Sequence, residues 1–199
     1  MFGRRGGIDL GERGYDIQAA SYLFVTGASR GIGKAIAVEM ARHGARVVIS
    51  SRKADACDVV AKAINAELAG APAIAIPAHI GERAELERLV AETRRRIGPI
   101  DVLVCNAAVN PYFGPSKDIP DSAFDKIMSV NIRSNHWLAH LVLPEMVERK
   151  DGVIIVVSSV GGLRGSTDLG GGWLRGCEQV ASHLADPGVN RCLLLKRTG

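Results

Sequence analysis

The sequence has little of what marks a disulfide-bonded or metal-scaffolded protein. It contains four cysteines in 199 residues, and none forms a CxxC pair or lies at metal-ligand spacing from a histidine. These residues are Cys57, Cys105, Cys177 and Cys192. The pattern does not suggest a disulfide framework, so a cytoplasmic location is expected, and no metal ligands are predicted.

Long hydrophobic runs are also missing. The longest purely aliphatic run, VIIVV at 153–157, is far too short to span a bilayer, so no membrane partner is predicted. The N-terminal stretch is rich in Gly and Arg and lacks the apolar core of a secretion signal. We expect residues 1–20 to be disordered or loosely attached.

The sequence has no long segment in which charges of only one sign are clustered. The formal net charge is +4, and charged residues make up 23% of the sequence. Most basic residues alternate with acidic ones, as in GERAELERLVAETRRR at 81–96, which is typical of solvated helix faces. No nucleic-acid partner is predicted, because such a binder gathers Lys and Arg on one face.

What the chain does contain is a regular alternation of apolar runs and amphipathic stretches. Strand-like runs lie at 21–27, 45–50, 72–77, 101–107 and 152–159, and helix-like stretches at 31–43, 53–69, 82–97 and 122–149. The last helix contains Pro144, which predicts a kink or a break there. Strands separated by helices need right-handed crossovers. The predicted fold class is therefore α/β, a Rossmann-like doubly wound parallel sheet over residues 21–160.

A glycine-rich turn joins the first strand to the first helix. Gly27, Gly31 and Gly33 follow the spacing GxxxGxG. The first lets the chain turn out of the strand, the second lets a pyrophosphate approach, and the third lets the helix pack on the sheet. The free N–H groups and the dipole at the helix start attract an anion. In this strand-to-helix context the turn predicts a dinucleotide phosphate site.

The motifs of the chain, taken in order, resemble those of the short-chain dehydrogenase/reductase family. They are TGASRGIG at 26–33, CNAAVN at 105–110, SVNIRS at 129–134 and VVSSVGG at 156–162. The SSRK and NAAVNPYFG segments look most like NADPH-dependent carbonyl reductases, including retinal reductases, and the general pattern is shared with 3-oxoacyl-carrier-protein reductases. The resemblance implies hydride transfer between NADP(H) and a small-molecule ketone, aldehyde or alcohol. It is compatible with a homo-oligomer.

The resemblance also implies which residues bind the cofactor. They are Gly27, Ser29, Arg30, Gly31, Ile32 and Gly33 at the phosphates, with Ser51, Arg52, Asn106, Ala107 and Ala108 near the riboses. NAD-preferring relatives place an acid where Ser51 stands, and Arg52 follows it here. An arginine can bind a 2′-phosphate bidentately, whereas an acidic side chain would repel it, so NADP(H) is favoured over NAD(H). Arg30 could contribute a second positive charge to the same phosphate. The alternative is that Arg52 only opens a solvated helix.

The catalytic residues implied by the resemblance are incomplete. Ser159 matches the Ser that polarises the substrate oxygen, and Asn131 matches the Asn that holds a water in the proton relay. The family's Tyr, followed by Lys four residues later, should come roughly a dozen residues after Ser159. The tyrosines all precede Ser159, and only one lysine follows it: Tyr15, Tyr22, Tyr112 and Lys196. The chain is therefore predicted to have little or no turnover. The alternative is a non-catalytic NADP(H)-binding or interaction protein.

Residues 161–199 depart from the family pattern and are predicted to form an atypical tail of the same domain. The abrupt shift to Gly, Trp, Arg and Cys near Thr167 suggests an altered reading frame. Finding no Tyr-x-x-x-Lys in any downstream frame of the DNA would refute that hypothesis. With the family's later strands altered, the strand at 152–159 would be an unprotected apolar edge unless CLLL at 192–195 folds back beside it.

Overall fold

The computed structural model describes residues 21–68, 70, 73–159 and 191–197. The expectations for residues 1–20 and for most of the atypical tail lie outside the described residues. Within the described part, none of the helices combines the length and the apolar character that crossing a bilayer requires.

Six strands of the described residues form one parallel sheet in the order β3-β2-β1-β4-β5-β6. Their bounds are β1 (Tyr22–Thr26), β2 (Arg46–Ser50), β3 (Ala73–Ala75), β4 (Val102–Cys105), β5 (Val153–Ser159) and β6 (Arg191–Arg197). The strand order reverses between β1 and β4. In a parallel sheet all carboxyl ends lie at one edge, and a ligand crevice forms at such a switch point.

Helices cover both faces of this sheet, which confirms the predicted doubly wound class. They are α1 (Gly31–Arg42), α2 (Ala54–Glu67), α3 (Arg83–Arg96), α4 (Asp121–Ile127) and α5 (Ser134–Arg149). Side chains alternate along β1, so Leu23 and Val25 pack with α1 and α2, whereas Phe24 packs with α3 and α5. The strands are buried on both faces, which is why their sequences read as continuous apolar runs.

The strand β5 is not an edge of the sheet. It pairs with β4 on one side and with β6 on the other, from Val153 opposite Arg191 to Ser159 opposite Arg197. The prediction that CLLL folds back beside VIIVV is confirmed. The alternative, an unprotected edge at 152–159, does not occur, because a seven-residue strand pairs along its full length.

The helix predicted at 122–149 is interrupted, but not at its proline. Pro144 lies inside α5, which continues to Arg149, so of the predicted kink or break the break does not occur, and the kink stays a prediction. Pro144 has no N–H to donate to the backbone carbonyl of His140. Both residues are exposed, so water can form the missing hydrogen bond to that carbonyl. The irregularity lies earlier, in a π-helical segment at Met128–Arg133, called the π segment below. Such wider turns occur often at functional sites.

The charged face of α3 is a solvated surface, as its alternating charges predicted. Arg83 pairs with Glu87 at 2.9 Å, and Arg88 pairs with Glu85 at 2.8 Å. The hydrogen bond from Arg88 is the largest cause that lowers the pKa of the Glu85 carboxyl. These basic side chains are therefore engaged with acids on their own helix.

Candidate functional site

The glycine turn between β1 and α1 has the backbone that its sequence predicted. Gly27 and Gly31 adopt φ values of +66° and +57°, a region that side chains with a Cβ rarely occupy. A Cβ at Gly33 would lie 2.5 Å from the Gly27 oxygen and 2.4 Å from the Asn106 amide nitrogen. The turn, the start of α1 and the end of β4 are thus packed in direct contact, and only glycine fits at Gly33.

Space remains open above the middle of this turn. A Cβ built at Gly31 meets no atom within 4 Å, and Arg30, the N-cap residue of α1, makes no side-chain cap hydrogen bond. Ser29 is half-buried, whereas Arg30 and Ile32 are exposed. The first N–H groups of α1 and the positive end of its dipole therefore face an accessible space that suits an anion.

The hydroxyl of Thr26 fixes the neighbouring strand end. It accepts hydrogen bonds from the backbone N–H groups of Asn106 at 2.9 Å and Ala107 at 3.0 Å, and it donates to the Val104 oxygen. The Asn106 side-chain amide donates to the Thr26 oxygen at 2.9 Å. Sequence reasoning gave Thr26 no role, although its place at the end of β1 could have indicated one.

Asn106, Ala107 and Ala108 follow β4 and lie directly beside the glycine turn. Asn106 is 4% exposed, and its Oδ1 is buried without a hydrogen-bond partner in the described part of the chain. Ala107 is half-buried and Ala108 exposed, so small side chains border the opening. The structure thus brings together the predicted phosphate turn and the predicted ribose-side segment.

The end of β2 places two further predicted residues at the same edge. The backbone N–H of Ala28, in the glycine turn, donates to the Ser50 oxygen at 3.0 Å. The Ser51 hydroxyl lies 3.1 Å from the thiol of Cys57, and Arg52 is exposed. Among the described residues neither Arg52 nor Arg30 has an ion-pair partner, in contrast to the arginines of α3.

Asn131 occupies the π segment and contacts the loop that follows β4. Its side chain is 3% exposed, accepts a hydrogen bond from the Val109 N–H at 2.9 Å and donates one to the Val109 oxygen at 3.0 Å. Its own backbone oxygen accepts a hydrogen bond from the Asn135 side chain at 2.8 Å. In this structure the Asn131 side chain therefore holds the loop after β4, and its predicted role in a proton relay stays a prediction.

The residues expected to perform chemistry are only partly described. Ser159 ends β5, so its backbone lies at the same sheet edge as the glycine turn, and its side chain is not described. Ser158 is buried on the sheet, 5% exposed. The stretch where the family's Tyr and Lys were sought, after Ser159, lies outside the described residues.

The NPYFG segment at 110–114 follows the loop that Asn131 holds and runs to the surface. The Tyr112 hydroxyl donates to the Pro115 oxygen at 3.0 Å, so it is used within its own loop. Phe113 is 73% exposed. His79 accepts the Gly81 N–H on its Nδ1 and shapes a turn.

Comparison with known proteins agrees with this geometry. The model of the short chain dehydrogenase family matches residues 21–170. The chain belongs to this family. The match covers the glycine turn, the end of β4, the π segment and β5, and it extends slightly past the region in which the motifs were recognised.

Individual relatives are similar over the same region. Dehydrogenase/reductase SDR family member 4 of Oryctolagus cuniculus is 39% identical over 155 residues, which cover 78% of this chain and 59% of that protein. The human dehydrogenase/reductase SDR family member 2, mitochondrial, is 42% identical over 68% of this chain and 48% of that protein. The chain spans about half to three-fifths of the length of these curated relatives.

Solved structures share the fold. A metagenomic short-chain oxidoreductase in complex with NADP superimposes with a TM-score of 0.79 and 28% identity, over 92% of this chain and 85% of that one. An alcohol dehydrogenase from Thermococcus sibiricus complexed with 5-hydroxy-NADP gives a TM-score of 0.79 at 25% identity, over 88% and 75% of the two chains.

The residues present fit the nicotinamide dinucleotide that the family binds. The open space above Gly31 and the uncapped start of α1 suit a pyrophosphate. The tight packing of Gly33 against Asn106 shapes the wall beside it. Gly27, Gly31 and Gly33 would hold the phosphates, Ser51 and Arg52 the adenine ribose, and Asn106 with Ala107 the second ribose.

Proposed function

We propose that this chain binds NADP(H) in the space above the glycine turn, beside the end of β4. The observation that carries the proposal is the space above Gly31, which opens onto the uncapped start of α1 while Gly33 is packed tightly beneath it. A pyrophosphate needs backbone N–H groups that it can approach closely, and a turn without side chains supplies them.

NADP(H) is favoured over NAD(H) by the charges at the end of β2. Ser51 brings no negative charge to the ribose side, and Arg52 and Arg30 are exposed with no carboxylate partner among the described residues. A guanidinium without a partner can bind a 2′-phosphate bidentately at little cost, since no existing ion pair must break. The NADP complexes of two structural neighbours support the same preference.

The family reaction proposed for this site is hydride transfer between NADP(H) and a ketone, an aldehyde or an alcohol. The nicotinamide ring, when bound, supplies or accepts the hydride. Ser159 would polarise the substrate oxygen, and Asn131 fixes the loop that borders the crevice. A proton must still reach the oxygen, and no Tyr-x-x-x-Lys pair follows Ser159 in the sequence. Little or no turnover is therefore proposed for this chain.

A non-catalytic role in NADP(H) binding or in interaction with another protein is the second candidate. It is favoured by the same contrast between a complete binding turn and an incomplete set of proton-transfer residues. A cytoplasmic location and a homo-oligomeric state also stay predictions, as does the absence of a nucleic-acid partner.

A titration of NADPH fluorescence with the wild type, Arg52→Ala and Lys53→Ala tests the binding proposal. Lys53 is the matched control, because it is also exposed and adjacent in sequence. Loss of Arg52 should weaken NADPH binding about tenfold or more, since a charged hydrogen bond contributes roughly 1.5–3 kcal/mol. NADH binding should change little in either variant. Equal losses for Arg52→Ala and Lys53→Ala, or no NADPH binding by folded wild type, would contradict the proposal.

A further inference from the structure

Two histidines on α5 lie outside the dinucleotide crevice and have no role in it. His136 and His140 are separated by one helical turn, so their side chains emerge on the same face. Their ring centroids are 6.3 Å apart, the rings are nearly parallel at 28°, and both residues are exposed.

The imidazoles of this pair are free to accept a ligand. Among the histidines in the described part of the chain, His43 contacts the Glu39 oxygen through Nδ1 at 2.9 Å, and the Nδ1 of His79 accepts the Gly81 N–H. No hydrogen bond or ion pair engages the ring nitrogens of His136 or His140 within the described residues. Their lone pairs are therefore available together at one place on the surface.

We propose that His136 and His140 form a binding site for a divalent transition-metal ion. Imidazole nitrogen is a preferred ligand for Zn²⁺, Cu²⁺ and Ni²⁺, and a Zn–N bond is about 2.0–2.1 Å long. Residues one helical turn apart lie on the same face, so the two exposed side chains can turn one nitrogen each toward a common ion. Water completes the coordination, because no group of three or more His, Cys, Asp or Glu suited to a metal occurs in the described residues.

The residues around the histidine pair determine how tightly a metal ion binds and how binding affects the stability of α5. Arg133, one turn before His136, is exposed and repels a cation, so binding should be weaker than at a structural zinc site. The pair lies in the first half of α5, directly after the π segment that contains Asn131. A metal bridge across that turn would oppose fraying where α5 joins the π segment. Zn²⁺ is therefore expected to raise the thermal unfolding midpoint.

Trp137 provides a local readout, since it follows His136 directly. The chain has two tryptophans, so Trp173→Phe leaves Trp137 as the single reporter. In this background, CuCl₂ is expected to quench Trp137 fluorescence saturably, because Cu²⁺ binds such nitrogen sites most tightly of the divalent series. ZnCl₂ should compete with this quenching and, added alone, raise the unfolding midpoint.

Single substitutions His136→Ala and His140→Ala should each abolish the saturable quenching and the Zn²⁺-induced shift. His43→Ala is the matched control, because it removes an exposed histidine from another helix end and should leave both effects intact. Circular dichroism of each variant confirms that the helices are retained. Quenching that survives both α5 substitutions, or no saturable quenching up to millimolar CuCl₂, would overturn the proposal. Neither result bears on NADPH binding.

Discussion

The side chain of Asn131 and the backbone of Val109 form a reciprocal pair of hydrogen bonds, at 2.9 Å and 3.0 Å. The Asn131 amide thereby satisfies both backbone groups of one residue, as a neighbouring strand would. The partner residues belong to the π segment and to the loop after β4. The irregular helix and the wall of the dinucleotide crevice are thus one connected structure.

Replacing Asn131 should loosen this connection. Asn131→Asp has nearly the same shape but puts an oxygen opposite the Val109 oxygen, so a donor is lost and two acceptors meet. The free energy of unfolding should fall by about 1–3 kcal/mol, the usual cost of leaving a buried polar group unsatisfied. Urea unfolding measures this, and NADPH titration should show weaker binding. Asn135→Ala, which leaves Val109 untouched, is the control; an equal loss of NADPH affinity there would contradict the assignment.

Thr26 should be more sensitive to loss of its hydroxyl than to loss of its methyl group. Thr26→Val keeps the shape of the buried side chain and leaves the N–H groups of Asn106 and Ala107 without their acceptor. The expected loss in unfolding free energy is about 1–3 kcal/mol for the buried groups left unpaired. Thr26→Ser retains the acceptor and should lose less. The two variants are compared by urea unfolding, and a Thr26→Val variant as stable as the wild type would show that packing alone matters at this position.

Gly33 and Gly31 should respond differently to alanine. Gly33→Ala forces a Cβ into the Gly27 backbone, so the fold itself should lose about 1–3 kcal/mol, as overpacked sites do. Gly31→Ala meets open space and should lose only the roughly 1–2 kcal/mol of a left-handed backbone. Its main effect should be on NADPH affinity, because the new methyl group projects into the space proposed for the phosphates. Unimpaired NADPH binding by folded Gly31→Ala would argue against that placement.

Much of the fold could be predicted because local pattern and topology agree. The strands are buried on both faces, so β1 and β2 read as short apolar runs. The glycine turn can be predicted because its three glycines have a characteristic spacing at a strand-to-helix junction. The pairing of β6 with β5 was only an open possibility, since a short apolar run at 192–195 has no period of its own.

The details of the site were harder to predict. The contact between Asn131 and Val109 spans 22 residues and depends on the extra residue that a π turn inserts, which no sequence period reveals. The break predicted at Pro144 does not occur for a related reason. Whether a proline ends a helix depends on whether water can reach the carbonyl that it leaves unpaired. The Thr26 hydroxyl on β1 forms hydrogen bonds with residues that follow β4, and the local sequence gives no sign of a contact between strands so far apart in the chain.

The central claim, NADP(H) binding without efficient turnover, is tested most directly by one experiment on the wild-type chain. NADPH is titrated by fluorescence, and the saturated complex is then mixed with a panel of ketones and aldehydes while NADPH absorbance is followed. The account predicts saturable binding and no carbonyl-dependent loss of absorbance. A carbonyl-dependent loss that Ser159→Ala abolishes would contradict it and would show that another group of this chain supplies the proton.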